Sequence, residues 1–139
     1  MRTTKVYILE EDSGWRDFAT KALVKRGYLV VSGATFADLV PQIKNENSSL
    51  TILGFSTIGP DELGLLERIL RNKHLGPTVV VASSLSRGAI REAFLRGAAD
   101  VARKSFDEDE LADLVQEQLN PRDPKSNYAS LGSRRRNNE

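Results

Sequence analysis

Ser49 to Gly59 reads SLTILGFSTIG, and the fold turns on its first half. Leu50 to Leu53 is a short apolar run with no regular polar alternation, the pattern of a strand covered on both faces. The run breaks at Gly54 and passes through Phe55, Ser56 and Thr57. Pro60 and Asp61 then open a helix carrying Leu63, Leu65, Leu66, Ile69 and Leu70. A buried strand, a loop and an amphipathic helix make one βα unit of a parallel sheet. Chemistry in such proteins sits at the carboxyl ends of the strands. Here that position is a glycine, which brings no side chain.

The same rhythm extends in both directions. Val6 to Leu9 is a strand that empties into Glu10, Glu11 and Asp12. Ser13 can cap the next helix, with Asp17 near its positive end and Trp15, Phe18, Ala19, Ala22 and Leu23 at helical spacing up to Gly27. Tyr28 to Val31 reads as a second strand. Thr35 caps a helix with Phe36, Leu39, Val40 and Ile43 on one face, and Pro41 is tolerable only in its first turns. On the carboxyl side, Thr78 to Val81 is a strand and Ser86 opens a helix through Ile90, Ala93, Phe94 and Leu95 that Gly97 ends. Ala99 to Arg103 is a short fifth strand, and Asp107 with Glu110 forms a capping box before Leu111, Leu114, Val115 and Leu119. Five strands alternating with five helices predict an α/β, flavodoxin-like, doubly wound parallel sheet of order 2-1-3-4-5 over residues 1–119. Pro121 and Pro124 close the last helix, and 120–139 reads as a disordered basic tail.

Composition excludes several function classes. The 139 residues, 40% hydrophobic and 28% charged, suffice for one domain with a real core. With no cysteine and one histidine, His74, neither a disulfide framework nor a thiolate or histidine-rich metal centre is available. No apolar run reaches the roughly 18 residues of a membrane span, and MRTTKVYILEED turns acidic too early for a signal peptide. A cytoplasmic location is expected. The net charge of +1 divides into −2 over 1–119 and +3 over 120–139, so no broad basic face predicts nucleic-acid binding, and Arg134, Arg135 and Arg136 give weak attraction at best.

The residues at the strand ends, over about 4–119, resemble the receiver domain of two-component response regulators, the CheY-like family. LEEDSGWR (Leu9 to Arg16) matches its acidic cluster, Gly27-Tyr28 its GY after the first helix, and GAADVARKSF (Gly97 to Phe106) its GA…K-P-F signature. The resemblance implies a pocket in which an aspartate ending strand three takes a phosphoryl group, acids hold Mg²⁺, a Ser/Thr follows strand four and a lysine follows strand five. Carried over by position, the aspartate falls on Gly54 and the hydroxyl on Ala82, though Ser83 and Ser84 follow. The acid pair falls on Glu10 and Glu11, the proline after the lysine becomes Ser105, and the reporter aromatic falls on Val101. Lys104 alone persists. The pocket reads as degenerate, a pseudo-receiver, with Lys104 expected to pair with Glu10 or Glu11 and those two glutamates the weak metal candidates.

The expectation is therefore a non-enzymatic, phosphorylation-independent signalling module without cofactor, acting by protein–protein interaction. The partner would be an unknown protein or a second copy, met through the face of the fourth helix, fifth strand and fifth helix. Ile90, Phe94, Val101 and Leu114 are its candidate apolar contacts, although helical spacing also fits Ile90 and Phe94 to the core. Two alternatives stand beside it: a phosphoacceptor using a displaced acid, Asp12 or Asp61, and a small-ligand binder exploiting the room left by Gly54 and Ala82.

Overall fold

The computed structural model describes residues 4–43 and 49–120. Five strands, β1 (Lys5–Leu9), β2 (Leu29–Gly33), β3 (Ser49–Phe55), β4 (Thr78–Ala82) and β5 (Asp100–Arg103), form one sheet of order β2-β1-β3-β4-β5, all pairs parallel. The helices are α1 (Ser13–Lys25), α2 (Phe36–Leu39), α3 (Pro60–Leu70), α4 (Arg87–Leu95) and α5 (Glu108–Leu119). Alternate residues of each strand feed two cores. Val6, Ile8, Leu50, Ile52, Val79, Val81 and Ala102 pack against α1 and α5. Tyr7, Leu9, Leu53, Val80, Ala82 and Val101 pack against α2, α3 and α4. Both sheet faces are covered, which is why the strands show no polar alternation.

Several local expectations change for physical reasons. Asp12, not Ser13, caps α1: its carboxylate accepts from the Gly14 and Trp15 N–H groups at 2.9 and 3.2 Å. The second strand starts at Leu29, because the Tyr28 N–H still closes α1 by donating to Leu23 O. Thr35 and Asp38 form a capping box, but α2 lasts one turn. Pro41 has no N–H for a carbonyl one turn back, so Val40–Gln42 tightens into a 3₁₀ turn and Ile43 is extended. β3 runs on through Gly54 to Phe55, paired with Val81 and Ala82 of β4, two residues beyond the apolar run. The glycine that ended the pattern is thus inside the strand. The described peptide bonds are all trans, and residues 121–139, with the arginine run, lie outside the described residues.

The apolar patch expected on α4, β5 and α5 does not form. Val101 and Leu114 are fully buried, and they belong to cores on opposite faces of the sheet, so they cannot share a surface with each other. Ile90 and Phe94 are half-buried and pack on the α3–α4 core.

Candidate functional site

Strand parity brings the site together. Glu10 lies two residues past Ile8, Gly54 two past Ile52 and Lys104 two past Ala102, and all three of those predecessors face α1 and α5. The Glu10 carboxylate consequently lies across the backbone of Gly54. A Cβ on residue 54 would collide with Glu10 Oε1 and stand 3.0 Å from its Cδ. Gly54 has no positive φ, so the glycine is required by this approach and not by its backbone conformation.

Lys104 Nζ forms an ion pair with the same Oε1, and the two side chains are 6% and 3% exposed. Oε1 has no aligned hydrogen bond, so the contact is one of charge on charge. Oε2 accepts from the Asp12 N–H at 3.3 Å, and the Arg16 guanidinium donates to the Glu10 carbonyl at 2.7 Å. The Trp15 ring covers the ammonium, with Lys104 Nζ 5.1 Å from its centroid. A buried pair of this kind adds little net stability, because desolvation offsets attraction, but removing either partner strands the other charge out of water.

The remaining candidates scatter. Ala82 is fully buried in the α3–α4 core. Ser83 and Ser84 are exposed, and their N–H groups donate to Phe55 O and Ser56 O at 3.2 and 2.9 Å, tying the loop after β4 to the loop after β3. Glu11 is exposed, Asp12 is committed to its cap, and Asp61 is exposed in the first turn of α3, where a carboxylate meets the positive helix end. The space that Gly54 would leave is taken by Glu10, so the ligand reading loses its vacancy at that point. The residues also do not fit the family's Mg²⁺ site: Glu10 is bound to Lys104, position 54 supplies no oxygen ligand from a side chain, and no cluster of three His, Asp or Glu side chains suited to a metal occurs among the described residues.

A cleft of about 560 Å³ opens from this site, with Glu10 and Gly54 in its wall, and runs between the loops after β1, β2 and β3, the start of α2 and one side of α3 from Asp61 to Arg68. Its wall includes Phe36 and Phe55, and the Arg68 guanidinium lies 5.2 Å over the Phe36 ring. Sequence reasoning missed Trp15, Arg16, Phe36 and Arg68 as site residues. Only Arg16 carried a signal, a cation in the first turn of a helix that prefers acids there.

No family model matches the chain. A response regulator from Thermotoga maritima superposes with a TM-score of 0.73 at 22% identity, covering 85% of this chain and 98% of that one. A CheY-like receiver domain protein from Methanospirillum hungatei JF-1 gives 0.72 at 22% identity, over 85% and 94%. This is the receiver-domain fold. An orphan response regulator of H. pylori shares it at 0.71 and 18% identity, over 84% and 97%. In sequence, the DNA-binding transcriptional regulator NtrC of Escherichia coli (strain K12) is 26% identical over 129 residues. That match takes in 88% of this chain and 28% of NtrC, so the chain spans about a quarter of the curated relatives it resembles. Among the described residues, no helix is long and apolar enough to cross a membrane.

Proposed function

We propose that this receiver-fold chain is a non-catalytic signalling module that works without phosphorylation of its strand-three position, by contact with a partner protein or a second copy of itself. The supporting observation is that Glu10 lies over Gly54 and is paired with Lys104 in a nearly dry site. A receiver-type acceptor needs a carboxylate at position 54, a cation to neutralise the incoming phosphoryl group, and access to an anionic donor. The first is missing, the lysine is already neutralised, and a glutamate occupies the space. On the face of α4, β5 and α5, Ile90 and Phe94 remain half-buried contact candidates, now without Val101 and Leu114.

The test is incubation of the full chain with acetyl phosphate and Mg²⁺, read by intact mass. The expected result is no covalent phosphoryl adduct. Near-stoichiometric addition, mapped to Asp12 or Asp61, would sink the proposal in favour of a displaced acceptor.

A further inference from the structure

We propose that the cleft between α2 and α3 docks an arginine side chain presented by a partner protein. This goes beyond the interaction reading above, since it adds a second contact site away from the face of α4, β5 and α5, and it rests on that reading only in taking the chain to meet a partner protein. The cleft, about 560 Å³, has the size of a binding site for one large side chain and its neighbours. Its lining suits a planar cation. The Phe36 ring already carries a guanidinium on its face, that of Arg68, which is exposed and could be displaced or joined by a second. Of the carboxylates lining the cleft, Glu10 is neutralised by Lys104, and Asp12 and Glu62 accept backbone N–H groups of their own helix starts. Glu11 and Asp61 are exposed and make no hydrogen bond or ion pair with any described residue. An arginine could lay its aliphatic stem on Phe55 and Leu65, its plane on Phe36 and its donor fork on the free carboxylates. A lysine offers the charge without the plane or the fork, and an anionic ligand would meet four carboxylates not neutralised by Lys104 against the one cation, Arg68.

The experiment is a fluorescence anisotropy titration of the full chain with a labelled Gly/Ser peptide bearing two arginines, beside a twin bearing two lysines, at physiological ionic strength. The arginine peptide is expected to bind several-fold tighter. Phe36→Leu is expected to weaken it about two- to fivefold, the range for loss of one exposed cation–π contact. Asp61→Asn and Glu11→Gln should weaken it similarly, whereas Asp113→Asn, on the far side of the sheet, should leave it unchanged. Asp61 and Glu11 are exposed, so those variants decide the matter even if Phe36→Leu is poorly folded by thermal melt. Equal binding of the two peptides, or indifference to all three cleft variants, overturns the proposal. Tighter binding after Arg134, Arg135 and Arg136 are changed together to serine would assign the cleft to this chain's own arginine run and overturn the partner assignment. Failure here leaves the phosphorylation reading standing, since the phosphodonor assay reads that one separately.

Discussion

Replacing Gly54 by alanine, normally a mild change in a strand, is expected to cost about 2–4.5 kcal/mol. A single methyl group would collide with Glu10 Oε1 and come to 3.0 Å from Cδ, so the Glu10 carboxylate has to leave. Its departure strands Lys104, whose side chain is 6% exposed and otherwise faces the Trp15 ring. Breaking a buried pair by removing one partner costs about 3–5 kcal/mol. Against that, alanine restricts the unfolded chain and returns about 0.4–1 kcal/mol where its conformation is allowed, as it is at a strand residue with ordinary φ. Urea unfolding with an unchanged m-value measures the difference. The decisive comparison is a double-mutant cycle with Glu10→Ala. In that background the methyl group meets no carboxylate, so Gly54→Ala should become neutral or slightly stabilising. Gly54→Ala within about 0.5 kcal/mol of the parent, the range of innocuous surface changes, would refute the reasoning. So would an equal cost in both backgrounds.

Gly54→Asp alone should phosphorylate slowly with acetyl phosphate and Mg²⁺, because the new side chain meets Glu10 and not a prepared site; adding Glu10→Asp and Ala82→Thr should raise the rate more than the single changes do separately, read by intact mass over time. Lys104→Met should destabilise the fold by roughly 3 kcal/mol or more, and Glu10→Gln added to it should recover much of that in urea titrations, since a neutral pair carries no stranded charge; Trp15, the chain's one tryptophan, should report the change in its emission. Leu114→Ala should cost about 2–5 kcal/mol in unfolding experiments, the price of a cavity in a closed core, with no specific effect on association. Asp12→Ala should lose about 1 kcal/mol through the α1 cap, whereas Ser13→Ala should change stability little.

The order of βα units was legible because both signals behind it are local: apolar runs too short and too continuous for a one-sided strand, and caps and glycines at the helix ends. Asp107 with Glu110, and Thr35 as a cap, act within a single turn, and sequence spacing alone places them, whereas the Asp38 half of the Thr35 capping box came from the structure. Strand ends were less legible. Whether Gly54 and Phe55 continue β3 depends on Val81 and Ala82 in the neighbouring strand, which no local pattern contains. The apolar patch failed for a related reason. Val101 and Leu114 looked like neighbours because their elements are neighbours, but strand parity and helix rotation turn their side chains into different cores.

By itself, the sequence determined that this chain has buried parallel strands, helices on both sides of them, no hydroxyl at position 82 and no carboxylate at position 54, since residue identity and short-range periodicity suffice for each. Only the tertiary structure decided what the missing carboxylate leaves behind. Glu10, Gly54 and Lys104 are separated by tens of residues, and they meet because parallel pairing of β1, β3, β4 and β5 puts alternate strand-end residues on one side of one sheet. Once there, the extra methylene of a glutamate carries its charge over the bare glycine backbone to the lysine, and burial makes that contact hard to undo.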